Sequence, residues 1–157
     1  MSERYEDTYV ESQVILTAVK IIAPFTLTYG LFLALHGADT PGGSFQGGAV
    51  IGVTVLMLGF AFGIEPTREW LQNAIVVGLV TVGVAIFIGV GLATMALGGA
   101  FLEYAMFETV LGIPDGTKWG METIEVGGIA AIVAGVVITL FFATAAGFVP
   151  ERGGDEP

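Results

Sequence analysis

The chain has 157 residues, 54% of them hydrophobic and 13% charged, with a formal net charge of -10 and no cysteine. A soluble domain carries roughly a quarter charged residues, so an ordinary soluble fold is excluded and the bilayer becomes the expected solvent. Without thiols there is neither a disulfide framework nor a thiolate metal site, and the acidic balance excludes nucleic acid as a partner.

Residues 1–13 are polar and acidic, with Glu3, Glu6, Asp7 and Glu11. They hold no basic n-region, and no small-residue cleavage site follows the first apolar run, which is therefore expected to stay as an anchor. That run covers residues 14–35, about 33 Å at 1.5 Å per residue, enough to cross the hydrocarbon core. A glycine-rich hairpin loop follows, from His36 to Gly48. The second span, residues 47–64, is short for a crossing. The third, residues 73–99, is longer than a crossing needs. Gly89, Gly91, Gly98 and Gly99 in its second half predict a tilt or local break. Residues 100–122 read as an amphipathic loop, with Phe101, Tyr104, Phe107 and Trp119 for the interface and a Pro114-Asp115-Gly116 turn. The fourth span, residues 123–148, stops at Pro150. The expectation is an all-α integral membrane bundle of four transmembrane helices over residues 14–149, with an acidic tail at residues 150–157.

Arg4, Arg68 and Arg152 fall on one side of this arrangement with Lys20 near the same face, and Lys118 falls on the other. The positive-inside rule then expects both termini in the cytoplasm. The acidic tails would repel an anionic membrane surface at ordinary salt. At molar salt the screening length falls to about 3 Å and the repulsion becomes cheap, so a halophilic prokaryote is the preferred host; two solvated tails are the plainer reading.

Small residues mark where helices should meet. The second span carries Gly48, Gly52, Gly59 and Gly63, and the fourth carries Gly127, Ala131, Gly135, Thr139 and Ala143 along one row. In lipid, close backbone approach replaces the hydrophobic drive for helix association. The sequence leaves open whether each stripe packs inside the chain or against another subunit.

Few polar groups are placed for chemistry. Lys20, inside the first span, either snorkels to the cytoplasmic face or pairs with a carboxylate in an ion route. Pro24 frees the carbonyl of Lys20, which suggests a kink beside the ammonium. Glu122 and Glu125, taken as the start of the fourth helix, complement its dipole; Glu125 with Glu103 is also a candidate proton or cation relay. His36 is a candidate cap or titrating group at the end of the first helix. No acidic side chain is expected at the membrane midplane, so the chain reads as a component and not as a self-sufficient pump. The loop is not a Walker loop, because Gly48 and not lysine follows Gly42-x4-Gly47, and no strand precedes it. It offers a Pro41-Gly42-Gly43 turn, an aromatic plug in Phe45 and the pair Gly47-Gly48 opening the second helix.

Together these stretches resemble a known family. Thr17-Ala18-Val19-Lys20, Pro24, and Leu35-His36-Gly37-x3-Pro41-Gly42-Gly43-x-Phe45-x-Gly47-Gly48 resemble the MnhB or MrpB family, the B-type subunit of the multisubunit sodium/proton antiporter. Its loop signature is close to Gly-His-x-x-Pro-Gly-Gly-Gly-Phe-x-Gly-Gly. Gly89-Val90-Gly91 through Gly99-Ala100-Phe101-Leu102 and Glu125-Val126-Gly127 are similar too. Ala38 stands where the family has histidine, Ser44 replaces a glycine, and Glu125 stands where the family often has aspartate.

The resemblance implies a non-catalytic, cofactor-free subunit in a cell membrane complex exchanging Na+ for H+. Its implied partners are large complex-I-like subunits, small hydrophobic subunits and lipid. A subunit of a hydrogenase-type ion-pumping complex and an autonomous homo-oligomeric transporter are the alternatives.

Overall fold

The computed structural model describes residues 12–37 and 43–147, which are helical apart from turns and contain no strand. Four helices are long and apolar enough to cross a membrane. Helix α1, Gln13–Leu35, starts where the Ser12 hydroxyl accepts the Ile15 N–H and continues unbroken through Pro24. Thr28 donates its hydroxyl to the Pro24 carbonyl at 2.7 Å, one turn further on. Pro41 and Gly42 lie outside the described residues, as do the tail residues 1–11 and 148–157, including Pro150.

Helix α2, Gly43–Phe62, begins four residues before the expected start. Gly43 has φ +66°, a left-handed conformation that favours glycine, and the chain turns directly into helix there. At the other end Gly63 has φ +97° and acts as the joint to a short helix α3, Ile64–Leu71, in a stretch read as linker. Gly63 is therefore a hinge residue at the helix end, outside the packed stripe. Helix α4, Asn73–Ala96, runs intact through Gly89 and Gly91 and stops before Gly98. The expected mid-helix break is absent because Gly89 faces open space and Gly91 receives the Phe101 ring.

Residues 97–115 fold into turns and one short helix, α5, Ala105–Thr109. The last crossing starts earlier than expected. Asp115, at φ 55°, launches helix α6, Gly116–Glu122, which a Lys118–Glu122 ion pair at 3.6 Å supports one turn apart. The chain then passes through a π-helical segment, Thr123–Ala130, into α7, Ala131–Gly147, so that Gly116–Ala146 is one continuous helix containing an apolar stretch long enough to cross.

In space α2 sits between α1 and the last crossing, and α4 packs on the far side of that crossing. Leu16, Val19, Ala23 and Ala61 form the α1–α2 core with Met57 and Leu58 beside it. Adjacent glycines then set both contacts of α2. A Cβ on Gly47 would lie 2.5 Å from the Ala34 nitrogen of α1, and one on Gly48 would lie 2.5 Å from the Ala130 carbonyl of the π segment. Gly52 and Gly59 continue the second contact against Val137 and Phe141. On the opposite side of the last crossing, Gly127 faces Ile86 and Gly135 faces Val80 of α4. Gly48, Gly52, Gly59, Gly127 and Gly135 are thus used for contacts inside this chain, while Thr139 and Ala143 at the end of the second row stay exposed.

Candidate functional site

The π segment places an acidic side chain against the described part of the glycine hairpin. Glu125 lies nine residues along the Gly116–Ala146 helix of 31 residues, which at 1.5 Å per residue is about 46 Å and exceeds the hydrocarbon core of about 30 Å, so it sits where the polar first turns give way to the apolar run. It is half-buried. A Cβ on Gly37 would lie 3.0 Å from the Glu125 Oε2 and 2.9 Å from the Ser44 nitrogen, so the carboxylate rests where the hairpin leaves α1 and α2 begins. Ser44 itself is buried, at 4% exposure. The sequence reading of Glu122 and Glu125 as helix N-terminal charges is corrected here. The helix begins at Gly116, so Glu122 pairs with Lys118 and Glu125 lies inside the helix, at the start of its apolar run.

In a π-helix the N–H of residue i+5 donates to the carbonyl of residue i, each turn is about one residue wider, and the form recurs at functional sites. Here it is clamped on both sides: Gly48 of α2 abuts the Ala130 carbonyl, and Gly83 of α4 would place a Cβ 2.9 Å from the Gly128 carbonyl. The π segment that carries Glu125 is therefore packed closely against α2 and α4.

Tyr104 belongs to the same neighbourhood, and sequence reasoning saw it only as an interfacial aromatic. Its phenol is pushed above its ordinary 10.0, first by burial and then by the negative charge of Glu125. The signal is long-range in the chain, so no local pattern reveals it.

The remaining candidates separate from this cluster. Glu103 accepts the Ala100 N–H at 2.7 Å and closes its own turn. His36 ends α1, stacks on Phe32 at 4.4 Å and places Nδ1 3.1 Å from the Phe32 carbonyl. Phe45 is 61% exposed and plugs nothing among the described residues of this chain. Lys20 is exposed, seven residues into α1, with its ammonium 5.7 Å from the centre of the Phe62 ring at the end of α2. That contact gives the ammonium a cation–π partner at the end of the bundle bearing α3.

Comparison with known proteins places the chain in a family. The chain is 29% identical over 125 residues to the B subunit of the Na(+)/H(+) antiporter of Bacillus subtilis (strain 168), covering 79% of this chain and 86% of the relative. It is 27% identical over 140 residues to a Staphylococcus aureus (strain Newman) protein named as antiporter subunit mnhB2, covering 87% and 97%. No solved structure matches. The family model for domains related to the MnhB subunit of Na+/H+ antiporter matches residues 14–139, and with nearly the whole membrane part covered, the chain belongs to that MnhB family.

Proposed function

We propose that the chain is an assembly-essential, non-catalytic subunit of a complex exchanging Na+ for H+, and that Glu125 lines part of its ion route. The observation that carries the reading is a half-buried carboxylate at the start of the apolar run of a membrane-spanning helix, on a π segment, against the glycine hairpin. An acidic group within a membrane-spanning helix is costly unless it serves transport or pairing. Its partners are large complex-I-like subunits and small hydrophobic subunits, which cover apolar side chains such as Phe25, Phe60 and Leu92 that this chain leaves exposed. Both termini face the cytoplasm of a halophilic prokaryote, by the side of Arg68 and the acidic balance. Lys20 serves the same route from the other end, facing a carboxylate of a neighbouring subunit.

The test uses everted vesicles carrying the assembled complex, with a pH-sensitive dye reporting sodium-driven proton movement. Glu125→Gln keeps shape and hydrogen-bonding capacity and should abolish exchange at unchanged subunit level, with Glu125→Asp restoring it. Exchange at the unaltered rate in Glu125→Gln would assign the carboxylate to packing alone. Lys20→Ala should behave as Glu125→Gln does, with the complex still assembled.

A further inference from the structure

Between α4 and α7, at the end of the bundle that bears α3, two cavities adjoin. The first, of ≈180 Å³, is lined at its mouth by Arg68, Gln72 and Asn73 and deeper in by Thr139, Phe142 and Ala143. The second, of ≈310 Å³, begins at the same Thr139 and continues between Val77, Val80, Thr81 and Leu140. Together they make one groove that is polar at the mouth and apolar below. Along α4 it runs from Asn73 to Thr81, about 12 Å at 1.5 Å per residue, from the helix end into the bilayer. Thr139 turns its hydroxyl back to the Gly135 carbonyl at 2.7 Å, so it leaves no unpaired polar group in the apolar part.

The mouth carries a cation without an ion-pair partner among the described residues. Arg68 is three residues from Glu65 and adjacent to Glu69, yet it makes no ion pair within 4.0 Å among the described residues. The guanidinium lines the cavity instead. Trp70 on the same short helix is 68% exposed, and exposed tryptophan anchors a segment at headgroup depth. A guanidinium at that depth, flanked by two amides and opening onto an apolar groove, matches the phosphodiester and first acyl segment of a phospholipid. Arginine forks favour phosphate oxygens over other lipid polar groups.

We infer that the α4–α7 groove is a phospholipid site, with Arg68 holding the phosphodiester and the Val77–Leu140 channel holding one acyl chain. The occupant is a lipid and not a partner helix, because the unpaired charge sits at headgroup level and the lining directly below it is apolar. The site is independent of which ions the assembly moves.

Photolabelling tests it in native membranes containing the assembled complex. Phosphatidylglycerol and diacylglycerol, each with the same diazirine-bearing acyl chain, are photolysed and the labelled peptides are mapped by mass spectrometry. Phosphatidylglycerol should label peptides containing residues 77–81 and 139–143, and diacylglycerol should label them several-fold less. Arg68→Gln should cut the phosphatidylglycerol signal about fivefold, the value of one basic side chain at a lipid surface, and leave the diacylglycerol signal unchanged. Arg68→Lys should retain most of it, and Val77→Trp should suppress labelling by both lipids. Equal labelling by the two lipids, or indifference to Arg68→Gln, would overturn the assignment. So would cross-linking of Leu140→Cys to a neighbouring subunit in place of lipid labelling.

Discussion

Gly47→Ala is the sharpest test of how α1 and α2 meet. The added Cβ would lie 2.5 Å from the Ala34 nitrogen, 2.8 Å from the Ala34 Cα and 2.8 Å from the Gly30 carbonyl oxygen. Favourable contacts begin near 3.5 Å, so the helices must part by about 1 Å. Overpacking costs about 1–3 kcal/mol, and because the obstructing atoms are backbone, no rotamer change relieves it. A loss of about 3 kcal/mol, roughly a hundredfold in the folding equilibrium, is expected. Gly78→Ala supplies the control, since nothing lies within 4 Å of a Cβ there. Its effect should stay within about 1 kcal/mol and favour the helix. SDS unfolding of the purified protein in mixed micelles, followed by circular dichroism, measures both variants. Equal midpoints for the two would refute backbone contact as the basis of the α1–α2 joint.

Gly43→Val should lose the chain from its complex, because a β-branched residue resists φ +66°; Gly43→Ala should cost about 1–2 kcal/mol, read by the same SDS titration. The Thr26 and Thr54 hydroxyls lie 3.1 Å apart across α1 and α2, and a double-mutant cycle with valine at each should return a coupling of about 0.6 kcal/mol. A value of zero would show that the two hydroxyls serve only their own helices. Tyr104 gives a pH dependence. Its folded pKa is raised above 10.0, so its contribution to stability is intact below pH 10 and is lost as pH rises through the folded value. Tyr104→Phe should remove that alkaline slope. Phenolate absorbance, taken as the difference from Tyr104→Phe, should show Glu125→Gln lowering the Tyr104 pKa only partway, because burial is the larger cause.

The four crossings were legible because uncharged runs of this length, in a chain this small, can be solvated only by lipid, and the fold class followed. The ends of the helices were not. Gly43 and Ser44 look like loop, yet a single left-handed glycine is enough to start α2 at once. Thr117, Lys118 and Glu122 look like a polar linker, yet they form a helical turn outside the apolar run. That misreading moved Glu125 from helix mouth to helix interior. The small-residue rows were visible as patterns, but their partners depend on which helix each row faces, a tertiary fact. The π segment has no sequence period of its own to detect. The hairpin motif identified the family and directed attention to Gly37, while the closeness of Glu125 to it joins positions 88 residues apart.

The paired glycines of α2 also bear on the order in which the chain is built. Everything that Gly47 touches has been synthesised once α2 emerges from the ribosome, whereas the surface that Gly48 touches arrives some eighty residues later. A bulky residue at 47 therefore spoils a hairpin formed during synthesis, and one at 48 leaves that hairpin intact but unable to receive the last crossing. Neighbouring substitutions should then yield different dead ends: early quality-control degradation for position 47, and a stalled, protease-sensitive half-bundle for position 48.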